Sequence, residues 1–224
     1  MAQLPTSDAG VARFLAEARR TPPATRSDRR ILFALDATAS REPTWDLASR
    51  LHGELFEAAS DDGGTAVQLV HYGGFNEFHA SPWTTRPATL LRQMTEVRCR
   101  GGLTQIQRVL EHALAETSQA RIRAVVFIGD ACEEPVDKVA DAAGRLALFQ
   151  TPVFVFQEGA DPDASRVFRQ VARLTGGAHS PFVPGRAADL RALLRAVAHF
   201  AASGRRGVER LDHPAAARLL RQLP

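Results

Sequence analysis

RILFALDATAS, residues 30–40, is the stretch from which the chain is best read. Ile31 to Leu35 is an unbroken apolar run without alternation, the pattern of a strand buried on both faces of a mostly parallel sheet. The run ends at Asp36, so a carboxylate is delivered to the strand's carboxyl end, the edge at which open α/β sheets bind ligands. Thr38 and Ser40 follow at the second and fourth positions and add two hydroxyls. Three oxygens around one point outline a site for a hard cation.

Outward from that strand, apolar runs and amphipathic stretches alternate. The spacing predicts a helix over 43–59 closed by Asp61-Asp62-Gly63-Gly64, a strand over 65–72 and a short edge strand over 75–79. Helices are expected over 87–97, 104–118, 135–148, 164–174 and 187–202, and strands over 122–128, 152–156 and 179–183. Such alternation implies a doubly wound α/β fold, a mostly parallel central sheet with helices on both faces. Residues 1–27 form an N-terminal helical arm, with Val11, Phe14, Leu15 and Ala18 on one face before the Pro22-Pro23 break. The domain proper spans 28–202. Residues 203–224 form a basic helical tail with Val208, Leu211, Ala215, Leu219 and Leu223 at helical spacing. Both apolar faces are expected to dock on their own domain.

Composition narrows the function classes. At 224 residues and 45% hydrophobic content the chain can bury a full core in one domain. The net charge is +3 and the basic side is almost all arginine, Lys138 being the single lysine. Arginine suits carboxylate pairing as well as it suits phosphate. No basic run is interleaved with aromatics, so a nucleic-acid partner is not expected. Cys99 and Cys132 give neither a disulfide framework nor a CxxC zinc site, and inert thiols in a reduced, cytoplasmic protein are the expectation. The seven histidines lack HxH or HExxH spacing, which argues against zinc. Charged residues interrupt the N-terminal stretch and no segment is apolar enough to span a bilayer, so neither a cleaved secretion signal nor membrane insertion is expected.

Two further positions join the first loop. Thr104 follows a double glycine at the start of a helix, and Asp130 ends the buried run over 122–128. Asp36, Thr38, Ser40, Thr104 and Asp130 thereby fall on loops of one sheet edge. Mg²⁺ takes about six oxygens at roughly 2.0–2.1 Å, keeps several waters and uses only one or two carboxylates. Two carboxylates and three hydroxyls meet that demand and leave a position for an acidic group of a partner. Ser40 and Thr104 have helix N-capping as their alternative role. Glu133 and Glu134 read as the solvated start of the next helix. Because Asp36 and Asp130 carry like charge, removing Asp36 is expected to leave the metal-free protein equally or more stable.

DATAS, GGLT and GD, in that order on three successive loops, resemble the metal-ion-dependent adhesion site (MIDAS) of von Willebrand factor A (VWA) domains, Asp-x-Ser-x-Ser followed by a distant Thr and a distant Asp. Asp36, Ser40, Thr104 and Asp130 match position by position, and Thr38 keeps the hydroxyl of the first serine. Residues 168–182, with Ala172, Leu174 and Thr175-Gly176-Gly177, are similar to the late helix, turn and edge strand of those domains. The resemblance covers 28–202 and departs at Ala131, where glycine is common, and at Gln157-Glu158-Gly159. It implies a Rossmann-like VWA fold and a Mg²⁺ or Mn²⁺ held by Asp36, Thr38, Ser40, Thr104 and Asp130. It also implies a non-enzymatic module that grips an Asp or Glu of a protein partner, such as an AAA+ ATPase or an assembly complex.

The enzyme rival is a haloacid-dehalogenase-type phosphatase or phosphotransferase. Asp36 with Thr38 resembles its aspartyl nucleophile motif, and Gly129-Asp130 with Glu134 resembles its Mg²⁺ motif; Asp36 would attack a phosphoryl group. Against it, Thr38 stands where a general-acid aspartate is expected, and Lys138 follows the Asp130 loop instead of preceding it. Neither GxGxxG nor GxxxxGK[ST] follows the first strand, which disfavours a nucleotide-binding domain.

Overall fold

The computed structural model describes residues 29–41, 64–183 and 187–224. The N-terminal arm and the helix expected over 43–59 lie outside them. Six strands form one sheet: β1 (Arg30–Asp36), β2 (Ala66–Gly73), β3 (Glu77–Ala80), β4 (Ala124–Gly129), β5 (Val153–Glu158) and β6 (Ala178–Phe182), in the order β3-β2-β1-β4-β5-β6. All neighbours are parallel except β2 and β3. The apolar run from Ile31 to Leu35 is fully buried at the sheet's centre, as a strand covered on both faces must be.

Seven described helices cover the sheet: α1 (Pro87–Glu96), α2 (Ile106–Gln119), α3 (Val136–Ala147), α4 (Pro162–Thr175), α5 (Ala187–Ser203), α6 (Arg205–Glu209) and α7 (Pro214–Leu220). Leu32, Ala34, Val125, Phe127 and Val155 pack with α2, α3 and α4 on one face. Ile31, Phe33, Leu35, Val126, Phe154 and Phe156 pack with α1, α5 and α7 on the other. Alternate strand residues therefore serve two cores, which is why these runs show no polar alternation.

Most boundaries shift by one or two residues, and three differences from the sequence expectation have a clear local reason. The edge strand begins at Glu77 instead of residue 75, because Gly74 (φ 59°) and Asn76 (φ 57°) hold left-handed turn conformations. β5 runs on to Glu158, since buried Gln157 finds polar partners: its amide nitrogen donates to the Asp161 carbonyl, and its oxygen accepts from Ser165 and His179. The tail is two short helices and not one, divided at 210–213 before Pro214 opens α7. Its apolar residues do dock on their own domain. Val208, Ala215 and Leu219 are fully buried in the core shared with α5.

Because Leu219 is part of that core, Leu219→Ala should cost about 2–5 kcal/mol in urea unfolding. Leu148→Ala, at a side chain that is 83% exposed, should stay within about 0.5 kcal/mol of wild type in the same measurement.

Candidate functional site

The parallel register places the end of β1 between two neighbours. Asp36 pairs with Tyr72 of β2, while Leu35 pairs with Ile128 of β4, so Gly129 comes level with Asp36. A Cβ at Gly129 would lie 3.5 Å from the Asp36 Cβ, an ordinary contact, and 2.8 Å from the end of the Phe127 ring, which would have to shift; Asp130 is the next residue along the chain. Asp36 is fully buried. Its Oδ1 accepts from the Thr38 backbone N–H at 2.8 Å, and its Oδ2 accepts from the Tyr72 hydroxyl at 3.0 Å. The first bond is an Asx turn that bends the chain out of the strand. It leads into a single 3-10 turn at Ala39–Arg41, where the buried Thr38 hydroxyl and the exposed Ser40 hydroxyl lie 3.1 Å apart.

The loop from 98 to 104 is stitched across this edge. Arg100 N–H donates to the Ala37 carbonyl at 2.9 Å, and Thr38 bridges to Arg100. Buried Thr104 then meets the loop after β4: its N–H donates to Glu133 Oε2 at 2.9 Å, and its hydroxyl accepts from the Glu133 N–H at 3.0 Å. Glu134 Oε1 and Oε2 accept from the N–H groups of Gln107 and Ile106 at 2.8 and 2.5 Å. These contacts correct two readings. Glu134 is not a solvated helix start: it satisfies open donors at the N-terminus of α2, where a carboxylate also suits the helix dipole, while Glu133, though exposed, ties down Thr104 just before that helix. Thr104 does not cap its helix. Gln105 is the N-cap and makes no side-chain cap bond.

Asp36, Thr38 and Ser40 are thus joined by hydrogen bonds, Asp130 stands on the adjoining strand end, and Thr104 is tied three residues beyond it. The remaining feature of this edge is Asp130 Oδ1, which is buried without a hydrogen-bond partner. A carboxylate oxygen in that condition costs free energy unless a cation or donor meets it. The sequence-chosen side chains at this edge offer carboxylate and hydroxyl oxygens; among the described residues no group of three or more His, Cys, Asp or Glu is placed to hold a metal. A cation here would be of the oxygen-seeking kind, with Asp36, Thr38, Ser40, Thr104 and Asp130 as its available donors.

Burial tunes the nearby titrating groups. Glu134 is held above the ordinary carboxylate range mainly by desolvation, which outweighs the hydrogen bonds it accepts. Burial likewise pushes the Cys132 thiol up, keeping it protonated and inert. His71 and His179 are both lowered to about 4, chiefly by burial, with His79 adding to the effect at His71 and Arg169 at His179. Between about pH 6.5 and 4 the unfolded chain therefore binds protons that the folded one refuses, and stability falls as pH drops through that window.

Solved structures share this architecture. No family model and no curated protein matches the sequence. A von Willebrand factor type A protein from Catenulispora acidiphila superposes with a TM-score of 0.61 at 16% identity, covering 79% of this chain and 43% of that one. The fold is that of VWA domains. The SpRpn10 VWA domain gives a TM-score of 0.61 at 13% identity over 73% of this chain and 94% of that domain. The pilus adhesin SpaC from Lactobacillus rhamnosus GG gives 0.64 at 9% identity over 80% of this chain and 30% of the adhesin. The chain thus spans less than half of two of these three. At such identities the likeness establishes the VWA fold and leaves the chemistry to the residues.

Asp36 also corrects the expectation about its removal. Its loss strands the Thr38 N–H and the Tyr72 hydroxyl, so Asp36→Ala should destabilise the metal-free protein by about 1–3 kcal/mol. Tyr72→Phe removes one donor from the same carboxylate, and denaturant titration in EDTA should show a loss of about 1.5–3 kcal/mol. In an NMR pH titration the His71 and His179 imidazoles should remain neutral at pH 5.5 and titrate near 4.

Proposed function

We propose that the protein is a non-enzymatic binding module that holds Mg²⁺ or Mn²⁺ at a MIDAS-like edge and through it grips an Asp or Glu of a protein partner. The observation that carries this reading is the buried Asp130 Oδ1 without a hydrogen-bond partner, set beside the buried Asp36 carboxylate. Two adjacent carboxylates repel when no cation is present, and a divalent ion neutralises both. The hydroxyls of Thr38, Ser40 and Thr104 complete an oxygen set suited to Mg²⁺. A metal bound there would offer Lewis acidity to an acidic ligand of the partner. The protein's own residues supply the rest: Tyr72 and the Thr38 N–H orient Asp36, and Glu133 holds Thr104 in place.

Support from the fold is coarser, in that VWA-like architecture suits a protein-interaction module. The sequence resemblance to MIDAS-bearing domains suggests a cytosolic assembly as the setting. No helix among the described residues is long and apolar enough to cross a membrane.

Asp130→Ala provides the test. Removing a carboxylate whose Oδ1 has no partner strands no donor for that oxygen, so in EDTA the variant should melt at or above wild type. Wild type should gain about 2.7 kcal/mol of stability in Mg²⁺ at a hundredfold excess over Kd, and the variant should gain none. A variant that melts below wild type by the same margin in both buffers would return Asp130 to a purely structural role.

A further inference from the structure

The turn after β2 and the loop before α2 meet at the rim of this edge, where a Cβ on Gly102 would stand 2.0 Å from the Gly74 carbonyl oxygen. The residues that follow those two glycines, Phe75 and Leu103, are 98% and 69% exposed. The turn itself needs only the left-handed Gly74 and Asn76; it does not need a phenylalanine at its tip. Large apolar side chains held out in water beside a polar rim mark interaction sites.

A cleft of about 670 Å³ adjoins them, between β3 and α1, with Arg98, Arg100, Arg108, Glu77 and Glu96 in its walls. Arg100 is neutralised by Glu77 at 3.0 Å. Arg98 donates only to the carbonyls of Thr95 and Val97, and Arg108 to Asn76 and Gln105 while lying 4.7 Å over the Phe78 ring. Neither meets a carboxylate among the described residues. Both are exposed guanidiniums, whose planar donor forks match carboxylates in pairs of hydrogen bonds. The glutamates in the same walls speak against a phosphate backbone, which binds to continuous positive charge.

We propose that this surface receives an acidic peptide segment of the partner bearing a large apolar side chain. One carboxylate of the segment reaches the metal, a step that rests on the function proposed above. Flanking Asp or Glu residues run into the cleft to Arg98 and Arg108, and the apolar side chain packs between Phe75 and Leu103. The metal supplies one strong polar contact, the arginines give direction along the cleft, and the exposed apolar pair supplies the desolvated anchor.

The test is a peptide array probed with the full-length protein in Mg²⁺. The 12-residue peptides come in matched sets, with Asp/Glu or with Asn/Gln in their place, and with or without a Leu or Phe. Peptides both acidic and apolar should bind at least tenfold better than their amide twins and than their apolar-free counterparts. Arg98→Glu with Arg108→Glu, and separately Phe75→Ser with Leu103→Ser, should each weaken that binding at least fivefold. All four side chains are exposed, and melting curves verify that the variants fold. Equal binding of acidic and amide peptides, no binding by either set, or indifference to these variants would overturn the proposal. Self-association of the free protein that the charge reversal abolishes would place a second copy on this surface and overturn it too. The two readings fail separately. Selectivity that depends on Arg98 and Arg108 but not on Mg²⁺ or Asp130 refutes the metal and keeps the cleft, whereas calorimetric Mg²⁺ binding with no effect of the four substitutions does the reverse.

Discussion

Burying the Asp36 carboxylate at the end of the central strand is the constraint around which this edge is arranged. An ionised carboxylate in a protein interior is tolerated only with hydrogen bonds or opposite charge around it. Here the Thr38 N–H and the Tyr72 hydroxyl supply hydrogen bonds from opposite directions, one local and one across the sheet. The local bond turns the chain and presents Thr38 and Ser40. The other couples the position of Asp36 to β2, so that the register of the sheet fixes the site.

The neighbouring loops are held by similarly specific means. Glycines at 73 and 102 let backbone approach where a Cβ would come within 3.0 Å of a carbonyl oxygen. Glu133 and Glu134 then tie the loop after β4 to the N-terminus of α2, joining segments 27–29 residues apart in sequence through four hydrogen bonds. These contacts arrange Thr104 without requiring a metal. Among the described residues of this edge, Asp130 is the one whose buried side-chain oxygen has no hydrogen-bond partner. Scaffold and site can therefore be distinguished residue by residue.

The alternation of strands and helices was legible, as were Asp36 closing β1, Thr104 preceding α2 and Asp130 following β4, because they rest on local signals: unbroken apolar runs, glycine pairs, and a polar residue closing each run. What stayed illegible depends on register between distant segments. Tyr72 is the chain's only tyrosine, and a tyrosine closing a buried strand calls for an acceptor, yet only the β1–β2 register shows that the acceptor is Asp36. Glu133 and Glu134 sit just before one helix and serve another, so reading them against their own helix gave the wrong partner. The tail's helical spacing was legible, while its division into two helices follows from Pro214 and the shape of the core it fills.

The proposed function requires a divalent cation beside Asp36 and Asp130. Anomalous diffraction from crystals grown with Mn²⁺ tests it most directly. The expected result is a manganese peak bounded by the Asp36 and Asp130 carboxylates and the Ser40 and Thr104 hydroxyls. Density showing Asp130 Oδ1 bound to a protein donor, with no manganese peak at that edge, would contradict it.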